Sequence, residues 1–253
     1  MFTEPEAKKV LEHFCSFPLT SSIDVLNEFA KLPEAIPCFH GNKNNFVYIP
    51  GTRADRVILV AHADTVWDSE YGSDGDIVQK LKFEKGIYSG TNTCYGIGAD
   101  DRAGCAMLWL LKDSGHSLLV TDGEERGQFA ANYIRSTIPE LFEEINNHCY
   151  AIQFDRRGRN DYKTYNLPIS QEFIDFIKGK TKYIDAGRNA RTDIVALCDK
   201  ICGVNLSIGY YNEHSASEIL VFKEWLHTLN MVSELLKEEQ KQYPLLSFKD
   251  DPS

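Results

Sequence analysis

The stretch Arg56-Val-Ile-Leu-Val-Ala-His62-Ala-Asp64-Thr65 decides the fold. Its run from Val57 to Ala61 is apolar without polar alternation. A strand of that kind is buried on both faces, and such strands belong to parallel sheets covered by helices. Similar runs, rich in β-branched and aromatic residues, recur at Phe46–Ile49, Leu118–Thr121, Tyr150–Phe154 and Val204–Ile208. Helical spacing of apolar residues marks 4–15, 22–32, Ala103–Lys112, a stretch within Gln128–Ile145, Gln171–Lys178 and a long segment Ala216–Glu239. Strands alternating with helices predict an α/β fold, a three-layer α/β/α sandwich around a central, mostly parallel mixed sheet. Neither a repeat nor a low-complexity linker divides the chain. Residues 1–253 therefore read as one domain, with a tail expected to fray after about residue 242.

The chain is 43% hydrophobic, enough to fill a core without staples. It carries 37 acidic and 27 basic residues, a net charge of −10, which argues against a nucleic-acid backbone as partner. No stretch approaches the roughly 20 apolar residues of a membrane span. The opening Met-Phe-Thr-Glu-Pro-Glu lacks the basic and apolar regions of a signal peptide, so the expected address is cytoplasmic. Seven cysteines, an odd number with no CxxC pair, argue against a disulfide framework and against thiolate zinc ribbons.

Chemistry collects at the ends of the strands. The first run ends in His62-Ala-Asp64, the next in Asp122-Gly-Glu124-Glu125, another in Asp155-Arg156-Arg157, and Val204–Ile208 leads to Glu213-His214. In an open parallel sheet these carboxyl ends form the ligand-binding edge. A fifth piece, Gly96-Ile-Gly-Ala-Asp100-Asp101-Arg-Ala-Gly104, stands just before a helix. Helix capping would occupy one of its two acids and leave the other unexplained. A phosphate loop does not fit, because paired carboxylates repel phosphate and no Gly-Lys-Ser/Thr follows. With neutral imidazoles, His62, Asp100, Glu125, Asp155 and His214 carry a formal charge of −3. Carboxylates gathered in a cleft need cations. Two divalent ions with one hydroxide balance this set, and mixed imidazole–carboxylate donors without thiolate suit zinc, with cobalt or manganese as substitutes.

Taken in order over residues 56–218, the segments His62-Ala-Asp64-Thr65, Gly98-Ala-Asp100-Asp101, Glu124-Glu125, Asp155 and His214-Ser-Ala-Ser-Glu218 resemble the signature of the co-catalytic di-zinc exopeptidases. That superfamily includes bacterial leucyl aminopeptidase, peptidase T, glutamate carboxypeptidase and aminoacylase. The resemblance implies a zinc-peptidase (phosphorylase/hydrolase-like) fold and two metal ions bridged by Asp100. His62 and Asp155 would complete one site, and Glu125 and His214 the other. Glu124 would be the general base acting on a water between the metals, and Asp64 would fix the ring of His62. A cis peptide is implied between Asp100 and Asp101. The implied activity is that of a zinc-dependent aminopeptidase or dipeptidase acting on small peptides. A deacylase of N-acyl amino acids on the same site is one alternative, and a catalytically silent binding protein on the same fold is another. Only 58 residues separate Asp155 from His214 and 37 separate His62 from Asp100, too few for the lid or extra domains of larger relatives. The chain thus resembles a bare catalytic domain, with its oligomeric state left open.

Weaker candidates surround this set. Arg156, Arg157 and Arg159 either grip a substrate carboxylate or balance an acidic surface. Arg191-Thr192-Asp193 resembles a Gly-Thr-Asp segment that lines the cleft in relatives, without its glycine. Glu218 reads either as support behind a metal site or as part of the first turn of the last helix. Glu213 reads as a cleft-wall residue. His13, His40, His116, His148 and His227 lack ligand company and read as packing or surface histidines.

Overall fold

A computed structural model describes residues 1–68 and 76–246. The helices are α1 (Glu4–Phe14), α2 (Ser22–Phe29), α3 (Ala99–Leu111), α4 (Phe129–Thr137), α5 (Pro139–Ile145), α6 (Gln171–Thr181), α7 (Asp193–Leu197) and α8 (Phe222–Leu235). The strands are β1 (Ile36–Cys38), β2 (Phe46–Ile49), β3 (Ile58–His62), β4 (Leu81–Glu84), β5 (Ile87–Gly90), β6 (Ser117–Thr121), β7 (Ala151–Arg156), β8 (Asp161–Lys163), β9 (Ile184–Asp185), β10 (Gly203–Ser207), β11 (Tyr210–Tyr211) and β12 (Ile219–Val221).

The central sheet has eight strands in the order β1-β2-β6-β3-β7-β10-β8-β9. Its middle, β6-β3-β7-β10, is parallel throughout. The fold is thus α/β with a mixed, mostly parallel sheet, as the apolar runs predict. Every residue from Val57 to Ala61 and from Leu118 to Val120 is fully buried, because helices cover both faces of these strands. Helix α3 lies across β3 and β7, with α1 and α8 against it, while α7 lies across β7 and β10, with α4 behind it. Phe14, Phe29 and Trp109 pack ring on ring, 5.4–5.6 Å between centroids, and so fasten α1 and α2 to α3.

Three features differ from the expectation. A second, antiparallel sheet, β11-β12-β5-β4, has no counterpart in the sequence reading. Its strands are short, β4 is largely exposed, and they exist because they pair, which periodicity cannot register. The long last helix begins only at Phe222, since Ile219–Val221 pairs with Ile87–Ser89 as a strand. The segment Gln128–Ile145 holds two helices, broken at Ile138 where Pro139 follows.

The tail also departs from expectation. Tyr243 is buried and stacks on Phe176 at 5.0 Å. Its N–H donates to the Cys149 carbonyl at 2.9 Å, and its own carbonyl accepts from the Cys202 N–H at 2.7 Å. The chain is therefore held through Leu246, and residues 247–253 lie outside the described residues.

His148 provides a stability test remote from the strand ends. It is fully buried, with Nδ1 2.9 and 3.0 Å from the carbonyl oxygens of Glu144 and Ile145 and Nε2 2.7 Å from the Ser117 hydroxyl. This arrangement fits a neutral ring, with Nδ1–H donating to the carbonyls and Nε2 accepting. Burial, helped by the Arg56 charge, pushes the imidazole down to about 4. The folded state then binds fewer protons than the unfolded state between about pH 6.5 and 4. Stability contributed above that window is lost as pH falls through it, by up to about 3 kcal/mol. Urea unfolding across this range should show a shallower pH slope for His148→Gln than for the wild type. Identical slopes would remove His148 as the cause.

Candidate metal centre

The parallel register of β6, β3 and β7 brings three chemical strand ends side by side. His62 closes β3, Asp155 lies near the end of β7, and β6 runs through Thr121 into Asp122 and the turn bearing Glu124 and Glu125. His214 arrives from the far side, after β10 and β11. All five predicted ligands fall into two groups sharing one member: His62, Asp100 and Asp155, then Asp100, Glu125 and His214. Within each group the candidate donor atoms lie within 4.8 Å of one another.

The distances set Asp100 between the two imidazoles. His62 Nε2 is 3.3 Å from Asp100 Oδ1 and 3.4 Å from Asp155 Oδ1. His214 Nε2 is 3.1 Å from Asp100 Oδ2 and 2.8 Å from Glu125 Oε1. The two oxygens of Asp100 therefore face different imidazoles. Yet His62 Nε2, Asp100 Oδ1 and Glu125 Oε1 are buried without an aligned hydrogen-bond partner. Close approach without alignment means that these atoms aim at a shared point rather than at each other. Donors about 2.0–2.2 Å from a tetrahedral ion stand roughly 3.3–3.6 Å apart, so the spacing around His62 suits such an ion and that around His214 is slightly tighter.

The electrostatics point the same way. Burial alone would push the His62 imidazole down, but Asp155, Asp100 and Asp64 raise it well above its ordinary range. Contacts with Asp100 and Glu125 raise His214 to about 11. Burial pushes the carboxyls of Asp155 and Glu125 upward at the same time. The two imidazoles hold the Asp100 carboxyl down, yet imidazoles that gain protons and outer carboxylates that resist losing them signal a pocket short of positive charge. A divalent pair would supply it.

Supporting residues fix each donor. His62 Nδ1 lies 3.1 Å from the Asp64 carbonyl and 3.4 Å from its carboxylate, which leaves Nε2 free to face the cluster. The Asp64 carboxylate also accepts the N–H groups of Glu124 and Glu125, each at 3.2 Å. One buried acid thus ties the His62 strand to the acid pair. Gly123 begins that turn at φ 75°, and a Cβ there would strike Lys43 and Phe129. Glu124 lines the cleft, and burial with the facing Asp155 charge pushes its carboxyl well above the usual range.

The peptide bond between Asp100 and Asp101 is cis. The two acids divide their tasks. Asp101 accepts the Gly104 N–H at 3.0 Å as a helix cap and the His62 N–H at 3.1 Å, while Asp100 faces the imidazoles. Gly104 must be glycine, because a Cβ would lie 2.2 Å from Asp101 Oδ1 and 2.4 Å from the Phe154 carbonyl. Glu218 lies outside the last helix. It is buried and accepts the N–H groups of Ile97, Gly98 and Asp100 at 2.7–3.0 Å, clamping the loop that presents the shared carboxylate.

Asp155 has a support shell of which the sequence reading marks only the segment carrying Thr192. Thr192 donates its hydroxyl to Oδ2 at 2.7 Å, Gln153 donates to the same oxygen at 3.0 Å, and the Tyr210 hydroxyl donates to Oδ1 at 3.3 Å. Asn205 accepts the Asp155 N–H at 2.9 Å and donates to its carbonyl at 2.7 Å. A signal was available for two of these, since Gln153 and Asn205 are polar residues inside otherwise apolar strand runs. Thr192 lies in the Arg191-Thr192-Asp193 segment marked from the sequence, while Tyr210 gave no signal. Asp193 does not line the cleft; it is buried behind it, accepts the Thr121 hydroxyl, and is pushed by burial up to about 7. Arg156 forks onto Asp161 at 2.7 and 3.0 Å, Arg157 pairs with Glu213 at 2.8 Å, and Arg159 pairs with Glu224 at 3.4 Å. Asp100, Glu124, Glu125, Asp155 and His214 line a cleft of about 290 Å³. A larger groove of about 670 Å³, lined by Phe2, Trp109 and Leu236, holds none of these acids or imidazoles.

Comparison with solved structures places the fold among peptidases. The chain is similar to the aminopeptidase PepT from Bacillus cereus at 14% identity and a TM-score of 0.64, over 93% of this chain and 98% of that one. It is similar to a tripeptidase from Staphylococcus aureus at 12% identity and a TM-score of 0.64, over 94% and 98%. A chain described as an endoglucanase from Thermotoga maritima shares the fold at 14% identity and a TM-score of 0.52, over 89% and 96%. Likeness at such identities establishes architecture and not chemistry, which rests with the site. No family model and no curated protein matches the sequence. Among the described residues no helix is long and apolar enough to cross a membrane.

Proposed function

We propose that the chain is a single catalytic unit, a di-metal hydrolase of amide bonds at the ends of small peptides. The observation that carries this reading is the shared carboxylate, with one Asp100 oxygen facing each imidazole-bearing group. His62, Asp100 and Asp155 would hold one divalent ion, and Asp100, Glu125 and His214 the other, zinc suiting the donors best. Bound there, such a pair supplies Lewis acidity and a lowered water pKa.

The chain's own residues do the rest. Asp64 holds His62 in the tautomer whose Nε2 faces the cluster, and Glu218 and Asp101 hold the Asp100 loop rigid. Glu124 sits in the cleft beside Glu125 with no ion-pair partner among the described residues. It takes a proton from the attacking water and returns it to the departing amine. The similarity to a PepT aminopeptidase and a tripeptidase supports peptide substrates.

The test is reconstitution. Chelator-treated protein should regain about two zinc or cobalt ions per chain and, with them, turnover of one class in a panel of aminoacyl-nitroanilides, dipeptides and N-acetyl amino acids. Cleavage confined to N-acetyl amino acids would make the protein a deacylase. Two bound ions with no hydrolysis of any class would leave a silent binding protein on this fold.

A further inference from the structure

The wall of the cleft beyond Asp155 is cationic. Arg156, Arg157, Lys163 and Arg191 all line it. Arg156 and Arg157 are taken by Asp161 and Glu213. Lys163 and Arg191 have no carboxylate partner among the described residues. The half-buried Lys163 ammonium donates only to the neutral carbonyl of Asn189, at 2.8 Å. That bond joins Lys163 to the loop carrying Arg191, and the next residue, Thr192, donates to Asp155. Lys163, at the end of β8, is thus tethered to the Arg191 loop, and that loop is held to a proposed ligand. Burial and the neighbouring Arg156 and Arg157 charges push the lysine down, against the opposing pull of Asp161.

We infer that Lys163 and Arg191 form a carboxylate-receiving subsite, which makes the preferred substrates short molecules with a free α-carboxylate on the leaving side of the cleaved amide. The inference rests on the hydrolytic reading above and names its substrate class. In a peptide, the carboxylate nearest an amide nitrogen is that of a C-terminal residue, one carbon away. A cleft of about 290 Å³, small for a ligand site, favours that short reach over a distant acid. Guanidinium and ammonium groups together recognise such an anion. Dipeptides and N-acyl amino acids fit, and peptides extended or blocked at that end do not.

The experiment pairs each substrate with its C-terminal amide, Ala-Leu against Ala-Leu-amide, on zinc-loaded full-length protein. Binding of both to Glu124→Gln protein, measured by calorimetry, gives a readout apart from turnover. The free acid should be preferred by about 10–100-fold in kcat/KM and in affinity, the scale of one or two charge-assisted hydrogen bonds. In Lys163→Met/Arg191→Gln protein the ratio should fall to within about threefold of unity, whereas Arg159→Gln, outside the cleft, should keep it. Equal handling of acid and amide by the wild type would overturn the inference and leave the peptidase reading intact. So would preference for an acidic side chain on an otherwise amidated substrate. If no substrate is cleaved yet binding still favours the acid through these two residues, the subsite stands and the hydrolytic reading falls.

Discussion

Glu124→Gln is expected to keep about two metal ions per chain while lowering kcat by at least about 10²–10⁴-fold. Glutamine preserves shape and most polar contacts but cannot accept a proton. Glu124 makes no approach to either imidazole among the described contacts, so its loss should not empty a site. Its neighbour behaves differently. Glu125 Oε1 stands 2.8 Å from His214 Nε2 within the second group, so Glu125→Gln should drop occupancy towards about one ion per chain, partly rescued by added zinc. Metal analysis beside kinetics on both variants decides the matter. Loss of metal from the Glu124 variant, with both ions kept by the Glu125 variant, would exchange the two roles.

Asp100→Ala should remove both ions at once, because Asp100 belongs to both groups. Turnover should fall by roughly 10³–10⁵-fold, the several kcal/mol that Lewis acidity and water activation contribute. The variant should also lose metal-linked stability. An ion present at about a thousand times its Kd stabilises the fold by about 4 kcal/mol, worth roughly 8–16 °C in a chain of this size. Chelator should therefore lower the wild-type Tm by that order and leave the Asp100→Ala Tm unmoved. Glu218 grips the backbone N–H of residue 100 and not its side chain, so the loop keeps its anchor in the variant. An Asp100→Ala protein that still held two ions would dismantle the proposed centre.

Much of this site is legible in the sequence. His62, Asp100, Glu125, Asp155 and His214 each follow an apolar run or stand at a helix start. The structure brings all five together. The second role of the Asp100-Asp101 pair was legible in outline, since capping accounts for one acid, and Asp101 is the one that caps. Less could be read where a residue's part depends on a neighbour distant in the chain. Thr192 holds Asp155 across 37 positions, Tyr210 reaches it across 55, and Glu218 reaches the Asp100 loop across 118.

The division has a physical cause. Burial of a strand on two faces demands a continuous apolar run, and burial of a helix on one demands a 3.6-residue period. Both are local constraints, so Val57–Ala61, Leu118–Thr121 and the helices α1 to α3 are written in local order. The parallel register that sets His62 beside Thr121 then follows from few admissible topologies. Hydrogen bonds and charges answer only to distance in space. Whether Arg156 faced substrate or Asp161, whether Tyr243 frayed or stacked on Phe176, and whether Ile219–Val221 coiled or paired with β5 were settled by partners that no local pattern contains. The sequence determined the buried central strands and the donors at their ends. Only the tertiary structure decided which charges were already spent and which, like Lys163 and Arg191, line the cleft without a carboxylate partner among the described residues.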